Sequence, residues 1–154
     1  MSLYFLDSSA LVKRYVAETG SSWIQSLTEP TAGHTLFIAR ITWVEVLSAL
    51  ARRQREVGAP MEDVTATLSQ FRYDLDTQYQ VIELDQPLID LAGELVLRHP
   101  LRTYDAVQLA ASWRVQSGLI QVGGPALMFV SADTRLLAAA QAEGLLTDDP
   151  NDHR

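Results

Sequence analysis

Short apolar runs alternate along this chain with longer segments of helical periodicity, and this alternation constrains the fold more than any other feature. Residues 3–6, 34–38, 79–84 and 128–131 are apolar or alternating runs bounded by polar or turn-forming residues, a pattern that predicts strands. Parallel strands need long crossover connections, usually helices. The pattern therefore predicts an α/β fold with a mostly parallel central sheet.

The segments between these strands repeat apolar residues near helical spacing. They predict helices over residues 10–16, 23–29, 41–58, 60–76, 87–98, 103–116 and 136–144. Gly118 and Gly144 are predicted to stop the last two of these helices. We predict a single domain over residues 1–146, followed by a polar and frayed C-terminal tail over residues 147–154.

The composition limits the number of domains and the cellular compartment that we expect for this protein. A chain of 154 residues, 47% of them hydrophobic, is long enough for one compact core that buries roughly 70% of its unfolded surface. There is no cysteine, which excludes disulfides and zinc-thiolate sites. The N-terminus has no basic leader, and no apolar run is long enough to span a bilayer. We therefore expect a cytoplasmic protein without membrane contact.

The formal net charge of -7 argues against nucleic-acid binding through a basic patch. If the substrate is RNA, another group must neutralise its phosphates. Bound divalent cations would meet that need.

Four acidic residues are placed just after predicted strands or at the start of helices: Asp7, Glu45, Asp105 and Asp133. In open parallel sheets the ligand crevice lies beyond the carboxyl ends of the strands, so acids distant in sequence can converge there. Carboxylate oxygens are suitable ligands for hard ions such as Mg²⁺ or Mn²⁺. The positions predict a divalent-metal site.

Each acid also has a structural explanation when taken alone. Glu45 fits a capping box that begins at Thr42, and Asp133 fits a helix N-cap. Asp105 would complement a helix dipole, and Asp7 would suit a turn. The functional hypothesis therefore depends on the combination of the four positions.

Four blocks around these acids resemble the sequence motifs of PIN-domain ribonucleases, and especially those of the VapC toxins of bacterial type II toxin-antitoxin pairs. The blocks are YFLDSSAL at 4–11, TWVEVL at 42–47, LRTYDAVQLA at 101–110 and FVSADTRL at 129–136. Their order and spacing match, and the resemblance extends from Leu3 to Leu145. It implies a three-layer α/β/α PIN-like fold and an endoribonuclease that depends on Mg²⁺ or Mn²⁺. It also implies a homodimer and inhibition by a separately encoded antitoxin protein.

Carried onto this sequence, the resemblance makes Asp7, Glu45, Asp105 and Asp133 the catalytic, metal-binding acids, either directly or through water. Ser9 and Ser131 match supporting hydroxyl positions, although serines in turns and at helix starts are often only caps. The mechanism that we expect is in-line attack on an RNA phosphate by metal-activated water.

Other readings of the sequence are weaker or remain open. A receiver domain needs paired acids near the first strand and a late lysine, but the only lysine is Lys13. An aspartyl phosphatase would need a second acid two residues after Asp7, and this chain has Ser9 there. The chain also lacks a Gly-Lys-Ser phosphate loop and a G-x-S-x-G elbow. A non-catalytic PIN-like module that binds RNA or protein and an RNA-processing nuclease without a toxic role remain alternatives.

Overall fold

A central sheet of five strands lies between two layers of helices in the computed structural model, which describes residues 1–154. The strands lie in the order β3-β2-β1-β4-β5, and every neighbouring pair is parallel. They are β1 (Leu3–Leu6), β2 (Thr35–Ala39), β3 (Gln80–Ile82), β4 (Leu127–Val130) and β5 (Leu146–Asp148). The predicted α/β/α fold is confirmed.

Seven α-helices cover the two faces of this sheet. They are α1 (Ser8–Tyr15), α2 (Ser21–Thr28), α3 (Thr42–Val57), α4 (Met61–Thr77), α5 (Gln86–Arg98), α6 (Thr103–Gln121) and α7 (Thr134–Ala142). One apolar core packs α1–α4 against the sheet, and a second packs α5–α7 against the opposite face. No helix combines the length and the apolar character that crossing a membrane requires.

Successive side chains along a strand point to opposite faces of the sheet, so one strand contributes to both cores. In β1, Leu3 and Phe5 enter the core beneath α5–α7, whereas Leu6 enters the core beneath α1–α4. Phe5 stacks on Phe129 of the neighbouring strand β4, with ring centroids 5.8 Å apart. The packed centre of the sheet holds the carboxyl ends of β1 and β4 side by side.

Helix α6 is longer than predicted, because it continues through Gly118 to Gln121. An exposed glycine within a helix costs only about 1 kcal/mol relative to alanine. Gln116 holds the last turns of the helix, since its side-chain oxygen accepts a hydrogen bond from the Leu127 amide of β4. The helix ends just before Gly123, whose positive φ of 65° suits a turn.

The prediction of a frayed tail over residues 147–154 is wrong. Residues 146–148 form β5, which pairs with β4 at the edge of the sheet. Pro150 is buried, and the His153 ring stacks on Trp23 with centroids 3.9 Å apart. The His153 Nε2 also lies 2.8 Å from the Asp148 carboxylate. The C-terminal residues are therefore packed against α2.

Gly20 makes that packing possible. It has a φ of 84°, and a Cβ there would overlap the carbonyl oxygen of Pro150. Gly33 has a similar φ of 73° but open space around it. We expect Gly33→Ala to lower the free energy of unfolding by about 1 to 2 kcal/mol through backbone strain alone. Gly20→Ala should cost about 1 to 3 kcal/mol more, because the overlap adds to the strain. Chemical denaturation of both variants measures the difference, and equal losses would contradict the packing.

Candidate active site

The carboxyl edge of the sheet places all four predicted acids around one cleft. Asp7 directly follows β1, and Asp133 lies three residues after β4. Glu45 and Asp105 occupy the first turns of α3 and α6. All four side chains therefore line one cleft of about 720 Å³, while a tight metal site and their chemical roles stay predictions.

Asp7 is the most deeply placed of the four acids, with only 3% of its surface exposed. Its Oδ1 accepts hydrogen bonds from the Ser9 hydroxyl at 2.7 Å and the Ala10 amide at 2.9 Å. Its Oδ2 accepts a hydrogen bond from the Ser131 hydroxyl at 2.7 Å. Burial raises the pKa of Asp7 to about 7, even though these three hydrogen bonds favour the charged form.

The two predicted supporting serines connect Asp7 to the loop after β4. Their hydroxyl oxygens lie 3.3 Å apart. Ser9 Oγ accepts a hydrogen bond from the Ala132 amide, and Ser131 Oγ accepts one from the Asp133 amide. Both serines therefore fix the loop as well as the Asp7 carboxylate. Each serine therefore stabilises the loop and also contacts the acid that it was predicted to support.

Glu45 does not form the capping box that Thr42 suggested. Its Oε2 accepts a hydrogen bond from Ser8 of α1 at 3.0 Å, and its Oε1 accepts one from Gln108 of α6 at 2.7 Å. The same Gln108 amide nitrogen also donates to Thr42 Oγ1 at 2.8 Å. Burial, followed by the neighbouring Asp105 charge, raises the pKa of Glu45. Residues of two other helices, α1 and α6, thus orient this carboxylate toward the cleft.

Sequence reasoning missed Ser8 and Gln108 as partners of Glu45. The only available signal for Gln108 was its position three residues after Asp105, which places both on one face of α6. Ser8 was visible only as the residue after Asp7.

Asp133 is both a helix cap and a residue of the cleft. Its Oδ1 accepts hydrogen bonds from the amides of Arg135 and Leu136 and so caps α7. Its Oδ2 lies 3.6 Å from Arg102 Nη2. Arg102 also reaches Asp105, with Nε 3.4 Å from Oδ2. Burial, followed by the charge of Asp133, raises the pKa of Asp105.

The donor set of the cleft matches the chemistry of a hard divalent cation. Its potential ligands are carboxylate oxygens, and the hydrogen-bond donors to the buried Asp7 are neutral groups. No group of three or more His, Asp or Glu side chains is arranged tightly enough to hold a metal ion. Mg²⁺ is commonly held by only one or two carboxylates, with water and substrate phosphate completing its shell. The residues present therefore fit such an ion.

Three basic side chains share the cleft with the acids. Lys13 of α1 is buried and pairs with Glu18 at 3.1 Å. Arg52 of α3 lines the cleft farther along the same helix as Glu45. Arg102 stands at the start of α6. The cleft therefore combines a group of carboxylates with separate positive charges, although the net charge of the chain is negative.

Comparison with known proteins agrees with this geometry. Residues 4–142 match the family described as the PIN domain. Two curated relatives from Mycobacterium tuberculosis, Ribonuclease VapC45 and Ribonuclease VapC49, are each 32% identical over 144 residues. The aligned region is 94% of this chain and 93% of each relative. The chain therefore belongs to the PIN-domain family. Within that family it groups with the VapC proteins.

Solved structures share the fold over almost the whole chain. VapBC2 from Rickettsia felis, bound to a promoter DNA fragment, is similar with a TM-score of 0.60 at 12% identity, covering 96% of this chain and 98% of that one. A toxin-antitoxin complex from Klebsiella pneumoniae gives 0.60 at 18% identity, with 97% and 98% covered. VapC20 from Mycobacterium tuberculosis, a toxin that cleaves the sarcin-ricin loop, gives 0.59 at 15% identity, with 93% and 96% covered.

Proposed function

We propose that this protein is a cytoplasmic endoribonuclease that hydrolyses RNA phosphodiester bonds with Mg²⁺ or Mn²⁺, and that it is the toxin of a toxin-antitoxin pair. The observation that carries the proposal is the convergence of Asp7, Glu45, Asp105 and Asp133 in one cleft of a VapC-family chain. Both of these relatives are named ribonucleases, which supports RNA as the substrate class.

One or two of the four carboxylates would hold the cation directly, and the others would contact it through water. A bound divalent ion supplies activated water and stabilises the leaving oxygen of a phosphodiester. The protein's own contribution is orientation. Ser9 and Ser131 fix both oxygens of Asp7, while Gln108 fixes Glu45. Such prior orientation matters because misplacing a reacting group by about 1 Å can cost about 100-fold in rate.

Protonation of these acids would oppose cation binding at low pH. The pKa values of three of the acids are raised in the metal-free protein, mainly by burial. A cation must displace the protons that these carboxylates hold, so its affinity should increase with pH up to about 7, the pKa of Asp7. RNA hydrolysis by this site is therefore expected to be weaker below that pH.

We propose two protein partners, a cognate antitoxin and a second copy of this chain. Toxin-antitoxin complexes among the structural neighbours support the first. Large apolar side chains left exposed on the α5 and α6 side of the fold support an additional protein interface, among them Leu97, Ile120 and Val122. Light scattering of the purified chain, alone and after co-expression with its neighbouring open reading frame, tests both.

The decisive experiment sequences RNA ends after brief expression of the wild-type protein beside Asp105→Asn. Asp105 lies in the first turn of α6 and keeps 21% of its side chain exposed, and asparagine has nearly the same shape, so the variant should fold. We expect new RNA ends and arrested growth with the wild type, and neither with the variant. Cleavage without growth arrest would favour an RNA-processing nuclease. No cleavage, together with no heat of Mn²⁺ binding by the purified protein, would favour a non-catalytic module.

A further inference from the structure

Arg102 lies at the mouth of the cleft and contacts two of its carboxylates. Its guanidinium is 3.4 Å from Asp105 Oδ2 and 3.6 Å from Asp133 Oδ2, while 84% of its side chain is exposed. Both contacts are long for ion pairs, and exposed pairs of this kind contribute little to folding. The side chain is therefore loosely held and free to move without unfolding its surroundings.

A cation held by Asp105 and Asp133 would have to share these two carboxylates with the Arg102 guanidinium. Asp133 Oδ1 is already used to cap α7. Its remaining oxygen, Oδ2, is the one that faces Arg102. A divalent cation that binds Asp133 at Oδ2 must therefore compete with the positive charge of Arg102.

Arg102 also differs from the other two basic side chains of the cleft, because it is the one that contacts Asp105 and Asp133. The ammonium group of Lys13 is buried and held by Glu18. Arg102 instead presents a planar guanidinium at the open end of the cleft, and its paired N–H groups match the geometry of a phosphate. A released guanidinium would remain within reach of an RNA backbone that approaches the acids.

We propose that Arg102 is a substrate-binding residue that pairs with Asp105 and Asp133 in the resting protein. When a divalent cation binds these acids, the Arg102 side chain moves away from them and its guanidinium forms hydrogen bonds with a phosphate of the bound RNA. This inference rests on the proposed function. It assigns to one side chain two opposite effects, since Arg102 weakens cation binding and strengthens RNA binding.

The test compares Arg102→Ala with Arg53→Ala. Arg53 is an exposed arginine of α3 outside the cleft lining, so the control carries the same change of charge. Titration calorimetry gives the Mn²⁺ affinity of each metal-free protein. Initial rates with total bacterial RNA and saturating Mn²⁺ give KM and kcat. A third variant, Arg102→Lys, keeps the charge without the planar group.

For Arg102→Ala we expect Mn²⁺ to bind about 2- to 5-fold more tightly, because a competing exposed ion pair is removed. The KM for RNA should rise about 10-fold, because a charge-assisted hydrogen bond to phosphate is lost, while kcat changes much less. Arg102→Lys should recover part of the RNA affinity. Arg53→Ala should stay within about twofold of the wild type in both measurements.

Two results would overturn the proposal while leaving the proposed function intact. One is an active wild type whose Arg102→Ala variant keeps the wild-type KM. The other is a variant that binds Mn²⁺ more weakly, which would make Arg102 a support for the acids. A wild-type protein that neither binds Mn²⁺ nor cleaves RNA would instead overturn the proposed function together with this inference.

Discussion

Replacement of Asp7 by asparagine is expected to stabilise the metal-free protein at pH 8 and to remove most of its RNA cleavage. The stabilisation follows from burial. The Asp7 carboxylate must ionise in a site where 3% of the residue is exposed, and its pKa is raised from 3.8 to about 7. Asparagine has nearly the same shape and carries no charge at any pH.

The direction of the pH dependence follows from the raised pKa. Between pH 4 and 7 the unfolded chain loses the Asp7 proton while the folded chain keeps it, so the unfolded state binds fewer protons. The contribution of Asp7 to stability is therefore complete below pH 4 and is lost as the pH rises to about 7. The difference between 3.8 and about 7 corresponds to about 4 kcal/mol as an upper estimate.

Thermal unfolding in EDTA at pH 5 and pH 8 measures this effect. The Tm of Asp7→Asn should exceed that of the wild type by about 5 to 15 °C at pH 8 and by much less at pH 5. Asp90→Asn, on the exposed face of α5, is the control and should show no such dependence. A lower Tm for Asp7→Asn at pH 8 would show that the charged form is favoured in the folded state.

The RNA-cleaving activity of Asp7→Asn should fall, whereas its thermal stability at pH 8 should rise. Loss of a carboxylate that we propose as a metal ligand should reduce RNA cleavage at least about 10- to 100-fold, since even residues behind metal ligands have effects of that size. Added Mn²⁺ should raise the Tm of the wild type more than that of the variant, because a ligand stabilises the state that binds it. Unchanged cleavage by pure Asp7→Asn protein would remove Asp7 from the catalytic group.

The acids were predictable from sequence because their placement is local. Asp7 follows an apolar strand directly, and the end of a parallel strand leads to the functional edge of the sheet whatever the rest of the chain does. The hydrogen bonds that orient Glu45 were not predictable, because Ser8 and Gln108 reach it from two other helices. Those contacts depend on how the helices pack.

Strand β5 was missed for a related reason. Residues 146–148 carry a threonine and an aspartate and show no clear apolar alternation, so nothing local distinguishes them from a loop. Backbone hydrogen bonding to β4 makes them a strand, and that pairing forms only when the sheet does. The raised pKa values of Asp7, Glu45 and Asp105 also depend on packing, because burial is the largest cause of each.

A buried polar network between α1 and α4 should be the most sensitive part of the fold outside the cleft. Asp74 of α4 accepts hydrogen bonds from the Tyr15 hydroxyl at 2.7 Å and the Gln70 amide at 2.9 Å, and it lies 3.5 Å from the Arg14 guanidinium. The side chains of Asp74 and Arg14 are 5% and 14% exposed. Burial raises the pKa of nearby Tyr79 to about 12, so this tyrosine stays neutral. Asp74 is therefore the anion that balances Arg14.

Asp74→Ala is accordingly expected to lower the stability by about 3 to 5 kcal/mol, because it leaves the Arg14 charge buried without a counterion. The Tm measured in EDTA should fall by about 6 to 15 °C. Asp76→Ala, an exposed change two residues later in α4, should cost less than about 0.5 kcal/mol. RNA cleavage per folded molecule should be retained well below the Tm, since neither Asp74 nor Arg14 lines the cleft. Equal Tm values for the two variants would show that Arg14 finds sufficient compensation in its hydrogen bonds to Gln78 and Tyr79.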